Sequence, residues 1–291
     1  MEESVMNEWG RVAFGCWRMT NPDPGFNATL VEAAVDLGMN VIDQADVYGF
    51  DWGGAGFGTC EEMLGRVFAA RPGLRQRVVL ATKGGIIPGV PYDSSTSYLV
   101  SACEASMRRM GVDVVDLYQV HRPDPFTHPA EVARALTSLR DRGLVRAFGV
   151  SNHTVAQTRA LQAHLDVPLV STQPEYSVAH LDPLFDGTLD RCNETGMVAL
   201  AWSPLAGGRV MTGVGLRPEL TAVLDDIAEH HGVGRDAVAV AFVLHHPSRP
   251  VAIVGSQSID HLVSVARATN VRLERSDLFR IVEAATGERL P

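Results

Sequence analysis

Eight short runs rich in β-branched and apolar residues recur along the chain, each followed by polar or glycine punctuation and then by a segment of helical period. They occupy residues 11–14, 40–42, 78–82, 114–120, 145–150, 169–172, 198–201 and 251–254. Strands that alternate with helices pair in parallel through right-handed crossovers. Several of the runs are apolar almost throughout, as happens where both faces of a sheet are buried. Eight such units in 291 residues favour closure into a barrel over an open doubly wound sheet. No Gly-x-Gly-x-x-Gly follows an early strand, which removes the usual mark of a Rossmann domain. The expected fold is therefore α/β, a (β/α)8 TIM barrel, with residues 1–291 forming one domain because no linker, repeat or low-complexity tract interrupts them.

Local signals mark the helices between the runs. Thr59-Cys60-Glu61-Glu62 has the capping-box pattern of a hydroxyl at the N-cap and a carboxylate three residues on. Asp182-Pro183 predicts another helix start, with an acceptor at the N-cap and proline behind it. Gly38, Gly111 and Gly143 each follow a helical stretch, where a left-handed residue commonly ends the helix. The long interval after residue 201 leaves room for extra helices near 219–231 and 236–245. The glycine-rich stretch Gly53 to Gly58 follows no strand directly and lacks a Lys-Ser/Thr pair, so it reads as a flexible loop and not a phosphate cradle.

Composition narrows the function classes. A net charge of −9 and the absence of a basic stripe argue against nucleic-acid binding. The longest apolar run, Ala237 to Leu244, is far short of the roughly 20 residues a bilayer requires, so no membrane association is expected. Met1-Glu2-Glu3 carries no secretory pattern, and four scattered cysteines read as reduced core thiols of a cytoplasmic protein.

A barrel gathers its chemistry at the C-terminal ends of its strands. There the chain places Asp43 with Tyr48 five residues on, then Lys83, His121, Ser151-Asn152, Gln173, Trp202-Ser203 and Gly255-Ser256. Singly, each of these residues has an ordinary structural explanation. Together an acid, a phenol, an amine and an imidazole fit proton transfer to a carbonyl. A nearby ammonium lowers a phenol's pKa, and an imidazole can hold the carbonyl oxygen. Such a set supplies no hydride, which must come from a cofactor.

Gly38-Met39-Asn40-Val41-Ile42-Asp43-Gln44-Ala45-Asp46-Val47-Tyr48-Gly49 resembles the signature of the aldo-keto reductases. Ala81-Thr82-Lys83, His121-Arg122-Pro123-Asp124, Gly149-Val150-Ser151-Asn152, Gln173-Pro174-Glu175-Tyr176, Ala201-Trp202-Ser203-Pro204-Leu205 and Val254-Gly255-Ser256 follow in family order. The likeness is greatest to the bacterial short-loop oxidoreductases. It implies reduction of a small-molecule aldehyde or ketone by NADPH, with Tyr48 as general acid supported by Asp43, Lys83 and His121. It further implies that Ser151, Asn152 and Gln173 hold the nicotinamide carboxamide, that Trp202 stacks on the ring, and that Ser203, Pro204, Leu205, Gly207 and Arg209 follow the pyrophosphate. Gly255, Ser256, Gln257, Ser258 and His261 would meet the adenosine phosphate. Gly255 and His261 stand where many relatives carry Lys and Arg, and Val265 where they carry an adenine-binding Asn, so NADH remains possible. Trp17, Phe50, Trp52, Tyr92 and Arg122 are candidates for the substrate pocket. The short segment before Arg11 is expected to lack the hairpin that floors relatives' barrels.

Three rival readings remain. A cofactor-loaded redox sensor with little turnover would keep the groove but bind tightly and turn over poorly. A Schiff-base lyase would use Lys83 and leave Trp202 and Gly255-Ser256 idle. A metal hydrolase would need more than the adjacent pairs His230-His231 and His245-His246, which point to different sides of a helix.

Overall fold

The computed structural model describes residues 9–290. Eight parallel strands close into a barrel in chain order, β1 (Val12–Gly15), β2 (Val41–Asp43), β3 (Val79–Gly84), β4 (Val115–Val120), β5 (Val145–Ser151), β6 (Leu169–Gln173), β7 (Val198–Ala201) and β8 (Val251–Val254). Closure is made by β1 against β8, where Ala13 pairs with Ile253. All eight expected runs become strands, and the fold is the (β/α)8 barrel.

Helices α1 (Pro24–Asp36), α2 (Thr59–Ala70), α3 (Thr96–Met110), α4 (Pro129–Asp141), α5 (Val155–Gln162) and α6 (Thr188–Thr195) follow β1 to β6 in turn. The interval between β7 and β8 holds α7 (Arg209–Thr212), α8 (Pro218–His231) and α9 (Arg235–Leu244), and α10 (Ile259–Ala266) and α11 (Arg275–Thr286) follow β8. Both extra helices expected in the long interval are present. The apolar run Ala237 to Leu244 lies in α9 and is buried almost throughout. Among the described residues no helix is long and apolar enough to cross a membrane.

Two helix starts differ from the sequence expectation. Helix α2 begins at Thr59 itself, behind Gly58 in the left-handed region (φ 84°), and the Thr59 hydroxyl turns back to Gly56 O at 2.7 Å. Glu61 is then drawn inward, where it accepts from Thr82 Oγ1 at 2.6 Å and pairs with Arg109 at 2.7 Å, so no capping box forms. Asp182-Pro183 starts only a short 3-10 turn, and α6 begins six residues later behind Gly187. A capping box that the sequence reading missed is at α5, where Thr154 and Gln157 cap each other. The glycine-rich loop is also tighter than expected: a side chain at Gly54 would collide with the backbone of Gly49.

Period-two alternation along the strands sorts the core. Ala13, Val41, Ala81, Leu117, Leu200 and Val251 point into the barrel, and Trp9 packs against them at its N-terminal end. The expectation about the N-terminal hairpin concerns the residues before Arg11, of which 1–8 lie outside the described residues; Trp9, the first described residue, packs against the foot of the barrel. Phe14, Ile42, Leu80, Tyr118 and Phe148 point outward against the helices. Asp43 lies two residues beyond Val41, Lys83 two beyond Ala81, and His121 four beyond Leu117. The alternation that fills the barrel therefore also aims these three polar side chains at its axis, at the open C-terminal end.

Candidate active site

Lys83 is completely buried, and its ammonium donates to both oxygens of Asp43 (2.9 and 2.8 Å), to Gln44 O (2.7 Å) and to Tyr48 Oη (3.1 Å). A buried ammonium survives only when its donors are satisfied by opposite charge and carbonyls, as here. Gln173 donates from Nε2 to Asp43 Oδ1 at 2.9 Å, which ties β6 to the same carboxylate. Burial, and then the Asp43 carboxylate, push the Tyr48 phenol well above its ordinary pKa. The expectation of a phenol acidified by the ammonium is therefore reversed in sign: Lys83 is engaged by Asp43, and Tyr48 is held firmly protonated. His121 packs edge-on to Tyr48, with ring centroids 5.9 Å apart. Burial, and then Lys83 and Arg122, hold its imidazole well below the usual value, so the ring is neutral. Its Nδ1 has no partner among the described residues.

Beside this cluster runs a groove of about 710 Å³ that extends along the ends of β5 to β8 as far as Val265. Its near wall is a chain of hydrogen bonds: Ser151 Oγ donates to Gln173 O (3.1 Å), Asn152 Nδ2 to Ser151 Oγ (2.8 Å), and Trp202 Nε1 to Asn152 Oδ1 (3.0 Å). Asn152, Ser203 and Ala206 adopt left-handed backbone at φ 57°, 56° and 50°. Strain at non-glycine residues beside a groove is characteristic of sites that hold a ligand.

The structure brings Tyr48, Asp43, His121, Ser151, Asn152, Gln173 and Trp202 to the groove, with Lys83 immediately behind Tyr48. Ser203, Pro204, Leu205, Gly207, Gly255, Ser256 and His261 line its farther part, and Trp17, Trp52 and Arg122 its mouth. Five expected residues lie elsewhere. Phe50 is 51% exposed away from the groove. Tyr92 is held in a β-bridge with Ile86 in the loop after β3. Arg209 is exposed and turns its Nε back to Ala206 O at 3.0 Å. Gln257 and Ser258 face a shallower hollow against Phe26 and Leu30 of α1.

The sequence reading missed three charged residues at the groove. Arg18 stacks its guanidinium 4.5 Å from the Trp52 ring and reaches Gly207 O at 3.3 Å, joining the loops after β1 and β7. Asp51 lines the mouth and Asp236 the far end. Arg18 sits next to Trp17 and could have been noticed. Asp236 carries no sequence signal, because only the packing of α9 against the β8 end brings it to the groove.

A closed parallel barrel with a phenol, ammonium, carboxylate and imidazole at its open end, beside a long groove, is the architecture of barrel oxidoreductases. The family model described as "Aldo/keto reductase family" matches residues 11–286, and the chain belongs to that family. It is 46% identical to a 6-dehydroglucose reductase of Novosphingobium aromaticivorans, over 96% of this chain and 93% of that one. It is 34% identical to the oxidoreductase YdhF of Escherichia coli, over 98% of this chain and 96% of that one. Among solved structures it resembles an aldo-keto reductase from Klebsiella pneumoniae in complex with NADPH, with a TM-score of 0.80 and 27% identity over 93% of this chain and 89% of that one.

Proposed function

We propose that this oxidoreductase uses a reduced nicotinamide dinucleotide to convert an aldehyde or ketone to an alcohol, with Tyr48 as the proton donor. The observation that carries the reading is the Tyr48–Lys83–Asp43 cluster with neutral His121 at one end of the groove.

The residues present fit such a cofactor. The groove is in the size range of ligand sites, its wall carries left-handed non-glycine backbone, and the unpartnered His121 Nδ1 is buried beside it. Ser151, Asn152 and Gln173 would hold the carboxamide, and the pinned indole of Trp202 would face the ring. When bound, the nicotinamide supplies the hydride that none of these side chains can give.

The chain's own residues handle the proton. Neutral His121 and the Tyr48 hydroxyl orient the carbonyl oxygen and polarise its bond. Tyr48 gives its proton to that oxygen as negative charge develops, and the ammonium 3.1 Å from the phenol oxygen stabilises the phenolate left behind. Asp43 and Gln173 hold Lys83 in place for this task.

For the substrate we carry over the chemistry in the name of the 46% identical relative, a sugar oxidised at carbon 6. The mouth suits it: Trp17 and Trp52, 5.0 Å apart, offer apolar ring faces, and Arg122 and Asp51 offer a donor and an acceptor for hydroxyls. The test is steady-state consumption of reduced nicotinamide with 6-dehydroglucose and with simple aldehydes. Many turnovers per protein molecule are expected. A single stoichiometric burst, or tight cofactor binding without turnover, would instead favour a redox sensor.

A further inference from the structure

The far end of the groove is built around a carboxylate. Asp236, the second residue of α9, is 2% exposed and lines the groove close to Ser256, His261 and Val265. No described residue donates a hydrogen bond to its side chain. The arginine beside it in sequence is committed elsewhere, to Asp225 at 2.7 and 2.6 Å and to Val210 O at 3.0 Å. Room for the carboxylate comes from Gly234, where any Cβ would collide with Asp236 Oδ1.

The arginines lining the groove are Arg18 and Arg122, and both belong to the mouth: Arg18 lies over Trp52, and Arg122 acts on Tyr48 and His121, while His261 is the basic side chain of the far end. Among the described residues no lysine or arginine lines the far end, where Gly255 leads into Ser256. The Ser256 hydroxyl is already engaged in a turn with Ser258, accepting from its N–H at 3.1 Å.

A carboxylate only accepts hydrogen bonds, and a buried one needs an N–H or O–H directed at it. The adenosine half of a dinucleotide offers ribose hydroxyls. A 2′-phosphate replaces one of them with about −1.5 to −2 charges and no donor. In dinucleotide sites generally, an acidic residue suits the free 2′-hydroxyl and an arginine the 2′-phosphate.

We propose that Asp236 accepts a hydrogen bond from a ribose hydroxyl of the adenosine half and makes this site favour NADH over NADPH. The inference rests on the nicotinamide reading above and runs against the NADPH preference that the family resemblance implied.

The test is the dissociation constant of the full-length protein for NADH and for NADPH, by quenching of tryptophan fluorescence, in the wild type, Asp236→Asn and Asp236→Ala. Circular dichroism confirms that each variant is folded. The wild type should bind NADH more tightly than NADPH. Asp236→Ala should weaken NADH by about tenfold, the scale of a lost hydrogen bond to a charged group, and should tighten NADPH. Asp236→Asn, nearly isosteric, should shift the ratio in the same direction. An unchanged NADH/NADPH ratio in both variants, or equal weakening of both nucleotides as if the adenine amino group were the donor, would overturn the proposal and leave the reductase reading standing. If the wild type binds neither nucleotide, the nicotinamide reading fails, and this proposal fails with it.

Discussion

The two ends of the groove are built on opposite plans. At the Tyr48 end, Lys83 alone makes four polar contacts, Asp43 is held by Lys83 and Gln173, and Trp202 is anchored through Asn152 to Ser151. At the Asp236 end the wall is glycine, serine, valine and His261 around one carboxylate that no described residue hydrogen-bonds. The difference teaches where preorganisation is needed. A proton donor must be aimed and its protonation state set before substrate arrives, so its neighbours are fixed by one another. A distal grip need only be complementary, and can wait for its ligand to complete the hydrogen bonding.

The largest effect that would test this contrast is on turnover. Tyr48→Phe removes the hydroxyl proposed to donate the proton and leaves the groove wall intact. We expect kcat to fall by about 10²–10⁴ with cofactor affinity nearly unchanged. Turnover close to wild type would show that the proton comes from another group. Next comes stability. Lys83→Met strands Asp43 as a buried, uncompensated charge, and breaking such a pair costs about 3–5 kcal/mol. Thermal or urea unfolding should register this; a stability equal to wild type would mean that the pair is not holding the Tyr48 end together.

A smaller change is expected for Trp202→Ala. Losing the stacking face should cost about 0.5–1.5 kcal/mol of cofactor affinity, measurable by calorimetry. Undiminished affinity would take the indole out of the nicotinamide site. The smallest effect should be that of pH. Burial raises the phenol's pKa, so the proton-bearing form persists to higher pH than usual. Burial lowers the imidazole's pKa, so the neutral ring persists to lower pH. The rate of reduction should therefore be nearly flat between about pH 7 and 9. A step in that window would show that one of the two titrates there.

The same contrast explains what could be read from the sequence. The barrel was legible because each strand announces itself locally, by β-branched runs and by the glycines that stop the preceding helices, as Gly111 does at φ 64°. Asp43, Lys83 and His121 were legible because strand ends are where a barrel keeps its reactive groups. The caps were less so: whether Thr59 caps a helix depends on Glu61 being pulled inward by Thr82 and Arg109, contacts made across 21 and 48 residues of chain. Phe50 and Tyr92 illustrate the limit in loops, where side-chain direction is not set by a period. Asp236 was invisible because α9 meets the β8 end only in three dimensions. The direction of the Tyr48 pKa shift also needed the structure, since it turns on whether the ammonium or the carboxylate and burial dominate.

Trp9 at the foot of the barrel has a consequence for traffic. With the lower end filled by an indole and the staves closed all round, the reaction chamber is a cup with a single rim. In the proposed reaction, substrate, product and the proton that recharges Tyr48 must all cross that rim. Of any two molecules that share the cup, the one lying deeper has to enter first and leave last.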